Sequence, residues 1–234
     1  MNTEIIAHRG ASALAKHENT LEAFEIAINL HCDFAEFDIR KTSDDVLIVF
    51  HDDAINDKAI SSLTYEELNK EAAKDDYQVP LLKDVLKLCK NKIKLDIEIK
   101  ETGYEKQIVD MVTHYISYDQ FMMKSFIDKT VKLVHHIDPQ IKVGLLLGVP
   151  KGSISRRFNE IFPLRRVKAC KADFVSPNQK LVTSYYIKRM HKANKPIYVW
   201  TVNEPKSIAR FFSKKVDGII TDYPNVAIKI KKRF

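Results

Sequence analysis

The sequence predicts an α/β protein, a (β/α)8 barrel with an antiparallel hairpin added after its second strand. Three observations carry that expectation. The chain has 234 residues, close to the roughly 250 typical of such barrels. Eight short apolar runs alternate with segments of helical periodicity from end to end, the pattern that gives parallel strands joined by right-handed crossovers. A ninth run follows its predecessor too closely for a crossover, so it must fold back. No Pro/Gly-rich linker or internal repeat interrupts the alternation, and residues 1–234 are expected to form one domain.

The predicted barrel strands are residues 5–8, 34–40, 93–100, 121–126, 142–147, 174–176, 197–201 and 218–221. Residues 19–30 carry Leu21, Phe24, Ala27 and Ile28 on one helical face. Thr64 with Glu67 three residues later forms a capping box before the next helix. Further helices are expected over 105–118, 129–137, 180–193 and 205–214. The returning run, 46–50, follows the turn Thr42-Ser43-Asp44-Asp45. As a hairpin arm, it need not place its far end, His51, across the barrel in the ordinary way. The stretch 150–166 holds Arg156, Arg157, Arg165 and Arg166 and reads as a solvated helix in preference to a lid.

Composition narrows the function classes. A hydrophobic share of 45% with 29% charged residues is that of a globular, water-borne chain. No apolar run reaches the roughly 18 to 20 residues a membrane helix needs, so no stable membrane insertion is expected. The N-terminus lacks the basic start, apolar stretch and cleavage site of a signal peptide, so a cytoplasmic location is expected. Cys32, Cys89 and Cys170 have no metal-like spacing and read as free buried thiols. The net charge of +7 and the tail Lys229-Ile230-Lys231-Lys232-Arg233-Phe234 read as a solvated helix end. A nucleic-acid partner would rest on charge alone and is not expected. The oligomeric state is not legible.

Candidate chemistry gathers at strand ends. Glu36 and Asp38 are one residue apart on a predicted strand, so both carboxylates point to one face while Phe37 and Ile39 take the other. Asp96, Glu98 and Lys100 repeat the pattern on the next barrel strand. Carboxylates crowded into a barrel repel and are costly to desolvate, and a divalent cation relieves both problems. Glu98 beside Glu36 and Asp38 would give an all-oxygen site suited to Ca²⁺ or Mg²⁺, with Lys100 free to neutralise a phosphate oxygen. His8-Arg9-Gly10, at the end of the first strand, fits a phosphate site: Arg offers forked donors and Gly allows close approach. His8 and His51 are suited to proton transfer at neutral pH. Each alone reads equally well as a core-capping or loop histidine. His135 and His136 point apart on a helix. His31, His114 and His191 sit at or beside helix ends, where the helix dipole accounts for them.

Taken in order, His8-Arg9-Gly10, Glu18-Asn19-Thr20, Glu36-Phe37-Asp38, His51-Asp52, Ile97-Glu98-Ile99-Lys100, Ser125-Phe126, Val199-Trp200-Thr201-Val202-Asn203 and 217–224 closely resemble the signature of glycerophosphodiester phosphodiesterases. The resemblance implies a metal-dependent hydrolase that converts glycerophosphodiesters to glycerol 3-phosphate and an alcohol. It implies that Glu36, Asp38 and Glu98 bind one divalent ion, Ca²⁺ or Mg²⁺ with Mn²⁺ as a further option. His8 and His51 would be the acid–base pair, Arg9 and Lys100 would hold the phosphate, Glu18 would support the site and Trp200 would wall the substrate pocket. Trp200 also falls where a barrel strand ends. The chain departs from the pattern at His17, where the family usually has proline, and at His31 and Asp45, where it favours glycine. It also lacks an arginine often found after the His-Asp pair. Two other readings stand beside this one: a lysophospholipase D-type enzyme acting on lipid phosphodiesters, and a non-catalytic barrel that binds a phosphate or metabolite.

Overall fold

The computed structural model describes residues 3–148 and 159–234. Its strands, in chain order, are β1 (Glu4–Ala7), β2 (Phe34–Lys41), β3 (Leu47–Val49), β4 (Ala54–Ile55), β5 (Lys58–Ala59), β6 (Lys94–Ile99), β7 (Phe121–Ser125), β8 (Val143–Leu147), β9 (Phe174–Pro177), β10 (Tyr198–Val199) and β11 (Gly218–Thr221). Parallel pairing runs β10-β11-β1-β2-β6-β7-β8-β9. Parallel bridges Val175–Ile197 and Asn178–Trp200 then join β9 to β10 and close the ring. This is the eight-stranded barrel the alternation predicted, with all eight expected strands present.

Around the ring lie α1 (Leu21–Asn29), α2 (Tyr65–Ala72), α3 (Leu82–Cys89), α4 (Glu105–Tyr115), α5 (Asp128–Ile137), α6 (Leu164–Cys170), α7 (Ser184–Lys192), α8 (Pro205–Ser213) and α9 (Pro224–Lys231). Strand parity sorts the side chains. Ala35, Phe37, Ile39, Leu95, Ile97 and Ile99 point outward and fill the layer shared with the helices. Ile6, Phe34, Met122, Phe174 and Ile220 fill the barrel's interior, with Tyr198 and Trp200 against them. All three cysteines are free and buried, as expected. Among the described residues no helix is long and apolar enough to cross a membrane.

Some boundaries moved. The helix expected over 105–118 stops at Tyr115, and a 3₁₀ turn, Tyr118–Gln120, follows it. The helix expected from residue 180 begins at Ser184, because Asn178 turns the chain first and accepts a hydrogen bond from the Lys180 amide at 3.0 Å. β10 spans two residues, fewer than the run 197–201 implied. Most of the basic stretch 150–166 lies outside the described residues. Within its described end Arg166 pairs with Asp128, Nη2 to Oδ1 at 2.5 Å. The C-terminal helix docks through Lys231–Asp33 and a Phe234–Phe212 ring contact.

The returning strand β3 pairs antiparallel with β2, Ile39 opposite Val49 and Lys41 opposite Leu47. Beyond it β4 and β5 form a tight hairpin whose central residues, Asn56 and Asp57, both have left-handed φ, the geometry of a type I′ turn. The Thr64 capping box then starts α2 as predicted. Ile48, Ile60, Leu63, Leu68, Ala72 and Val79 bury a small core of their own beneath this segment. Phe50, Tyr65 and Tyr77 pack on that core.

Candidate active site

The register of β2 against β6 builds the floor of the site. Asp38 is the lateral neighbour of Glu98, and Glu36 of Asp96. Glu36, Asp38 and Glu98 are buried, and each offers an oxygen within 4.8 Å of the others'. Asp38 and Glu98 are pushed in opposite directions. Burial, then the neighbouring Asp38 charge, pushes Glu98 up to about 7. Asp38 is also buried, but Lys100 and Arg9 more than offset that and hold it down to about 2. An all-oxygen donor set of three crowded carboxylates is what a hard divalent cation fits.

Each histidine is held by a carboxylate on Nδ1. His8 donates from Nδ1 to Asp222 Oδ1 at 2.5 Å, and its Nε2 lies 3.9 Å from Glu36. Asp222 is fixed in turn by Asn203 at 2.5 Å and Ser12 at 3.2 Å. His51 Nδ1 lies 2.7 Å from Asp52 Oδ1. In both rings the carboxylate on Nδ1 leaves Nε2 as the nitrogen available for proton transfer. Burial disfavours a charged His8, but the Glu36 carboxylate and the Asp222 hydrogen bond outweigh it and raise its pKa. Burial and the nearby Lys100 lower that of His51.

The hairpin brings His51 to the floor. β3 runs back along β2, so the Phe50 amide donates to the Asp38 carbonyl at 3.0 Å. Arg40 Nε donates to the His51 carbonyl at 2.9 Å. A histidine that a crossover would have sent elsewhere therefore returns beside Asp38. It lines one cavity with His8, Arg9, Glu98, Lys100 and Trp200.

The model of the glycerophosphoryl diester phosphodiesterase family matches residues 8–226. The chain belongs to this family. It is 30% identical over 251 residues to a glycerophosphodiester phosphodiesterase of Bacillus altitudinis, covering 98% of each protein. It is 31% identical over 241 residues to YhdW of Bacillus subtilis, covering 96% of each. The crystal structure of a glycerophosphodiester phosphodiesterase from Parabacteroides distasonis matches with a TM-score of 0.85 at 27% identity, over 99% of this chain and 98% of that one. The protein is thus an enzyme, a phosphodiesterase.

In this phosphodiesterase the expected phosphate-binding groups also converge. Arg9 has left-handed φ, and its amide donates to Glu36 Oε2 at 3.0 Å. Its guanidinium reaches Glu18 at 2.6 Å and lies 3.5 Å from Asp38. Gly10 must be glycine: φ is +75°, and a Cβ would lie 2.7 Å from the Ala23 backbone. Lys100 Nζ lies 2.8 Å from Glu98 and 3.1 Å from Asp38. Trp200 donates from its indole to the Ser176 carbonyl at 2.7 Å and meets Phe126 edge-on at 5.6 Å.

Sequence reasoning did not single out four residues that the fold adds. Asn19 donates to Asp38 at 3.0 Å from left-handed φ. Asp222 and Asp52 hold the histidines. Lys124 is fully enclosed, 2.6 Å from Asp96 and 3.2 Å from Glu36. Asp96 thus joins an ion pair under the floor and is not among the clustered acids. Asn19, Asp52 and Asp222 stand inside motifs quoted above, so their signal was present. Lys124 lies in the predicted strand 121–126, and it is the register of β7 beside β6 that puts it next to Asp96. His191, read as a helix-end histidine, also pairs with Asp217 at 2.8 Å.

Proposed function

We propose that the protein hydrolyses glycerophosphodiesters to glycerol 3-phosphate and an alcohol. In this reading Glu36, Asp38 and Glu98 hold one divalent cation, Ca²⁺ or Mg²⁺ with Mn²⁺ as a further option, and His8 and His51 exchange the protons. The observation that carries it is the convergence of three buried carboxylates and two carboxylate-oriented histidines at one barrel mouth. A bound cation supplies Lewis acidity toward a phosphoryl oxygen.

The chain's own residues account for the rest. Arg9 and Lys100 present cationic groups to the phosphate, and Glu18 keeps the Arg9 fork in place through its 2.6 Å contact. Trp200, backed by Phe126, walls the substrate side of the cavity. An oxygen nucleophile, from water or from the substrate's own glycerol hydroxyl, forms the new bond to phosphorus. One histidine takes its proton as the bond to the alcohol oxygen breaks. The other protonates that leaving oxygen. Attack by the glycerol hydroxyl gives a cyclic phosphate, which water opens in a second, equivalent step.

The test is release of glycerol 3-phosphate from glycerophosphocholine and glycerophosphoethanolamine, in EDTA and after adding back Ca²⁺, Mg²⁺ or Mn²⁺. Activity that needs a cation and disappears in Glu36→Ala and His51→Ala supports the reading. Silence with every cation would remove it.

A further inference from the structure

His51 lies between two cavities. One, of about 390 Å³, is the barrel mouth, lined by Arg9, Lys100 and Lys124 among others. The second, of about 410 Å³, is lined by His17, Glu18, Asn19, Phe50, Asp52 and Tyr77 in addition to His51. Among the described residues His51 is the one that the two linings share. A phosphodiester has two organic groups on one phosphorus, and a phosphate bound at His51 has one cavity within reach for each.

The two linings differ in charge. The mouth presents lysine and arginine to an anion. Among the described residues the second cavity has neither in its lining, and it has two carboxylates, Glu18 and Asp52, 45% and 70% exposed. Its inner wall is aromatic. The His17 and Tyr77 rings lie 5.0 Å apart, and Phe50 and Tyr77 6.4 Å apart. His17 Nε2 is buried there with no hydrogen-bond partner. Ring faces attract cations, and they attract organic ammonium groups most when water is excluded. Part of each carboxylate's charge is already shared, Glu18 with Arg9 and Asp52 with His51, so the rings must contribute to any preference.

We infer that this second cavity receives the leaving alcohol and selects alcohols that carry a positively charged ammonium group. The inference rests on the phosphodiesterase reading above for the phosphate's position, but its selectivity belongs to the cavity alone. His17, which stands where the family usually has proline, contributes an aromatic ring that proline lacks.

Two measurements test it. In the first, choline and its neutral isostere 3,3-dimethylbutan-1-ol are titrated into the full chain with Ca²⁺ or Mg²⁺ present, followed by calorimetry or ligand-observed NMR. Choline should bind about tenfold more tightly than the isostere, the scale of a well-formed cation–π contact. Tyr77→Leu should erase the difference and Tyr77→Phe should keep it. Equal affinity, or no binding of either, overturns the inference. If Tyr77→Leu does not fold, Phe50→Leu makes the same test. In the second, kcat/KM for glycerophosphocholine is compared with that for glycerophosphoglycerol. The ratio should fall about tenfold in Tyr77→Leu and fall detectably in His17→Pro; an unchanged ratio in both overturns the inference. If neither diester is cleaved, the functional reading fails, and the choline titration still reports on the cavity.

Discussion

Asp38 and His51 serve one site, yet they are held in different ways. Asp38, with Glu36 and Glu98, projects from strands paired on both sides within a closed ring. Its backbone is fixed by barrel ladders, and its side chain by Asn19, Arg9 and Lys100. His51, with Phe50 and Tyr77, comes from the segment 42–81 outside the ring. That segment rests on one short antiparallel strand and a six-residue core. The floor is therefore as rigid as the barrel, while the wall has only its own local stability. Under the proposed function, the floor would keep its chemistry constant while the wall changes which diesters are admitted.

The sharpest test of the comparison separates the two parts by what each loses. Glu98→Gln keeps the shape and removes a floor charge. Saturable Ca²⁺ or Mg²⁺ binding should vanish by calorimetry, and kcat should fall by about 10³-fold, the scale of losing several kcal/mol of charge stabilisation. His51→Ala should lower kcat by about 10² to 10⁴-fold while cation affinity persists. Loss of cation binding in the wall variant as well would merge the two regions.

Lys124→Met tests what lies under the floor. It leaves Asp96 buried without its partner, and breaking such a pair costs about 3 to 5 kcal/mol, readable by urea denaturation. Adding Asp96→Asn should recover most of that loss. Asp222→Asn should cost about 10- to 100-fold in activity, as for other groups that orient a catalytic ring. The Asp222 hydrogen bond helps to raise the His8 pKa above its ordinary 6.5. Without it the ring should therefore titrate at lower pH, which NMR of the His8 resonance would show. The smallest effect belongs to the wall: Thr64→Ala removes the α2 cap and should cost about 1 kcal/mol. It should appear as faster hydrogen exchange within 42–81, leaving the barrel strands protected.

The floor was more legible in the sequence than the wall. Glu36, Asp38 and Glu98 were visible because strand parity alone sets their direction, and apolar Phe37, Ile39, Ile97 and Ile99 marked the opposite face. His8 and Arg9 were visible as a strand's end. The position of His51 was not, because a return strand's register depends on its partner. Helix α3 was overlooked although Leu82, Val85, Leu86 and Cys89 keep helical spacing; interleaved lysines broke up the apolar run. His31 and Asp45 stand where the family favours glycine, and both do adopt left-handed φ. The motif thus recorded a backbone demand that this chain meets with less suitable residues. The second cavity had no signature at all, since Phe50 and Tyr77 meet His17 only through the hairpin and the excursion beyond it.

The excursion is tied to the barrel at both of its ends. The Val49 amide donates to the Pro80 carbonyl at 3.0 Å, and Ile48 bridges to Leu81. The chain therefore leaves the barrel and rejoins it at a single doorway. Beyond His51 and Asp52, the residues between can be lengthened, shortened or exchanged at a cost that grows only slowly with length, without moving a barrel strand. Such a segment behaves as an interchangeable cassette: past its fixed histidine, its length and composition are decoupled from the ring beneath it.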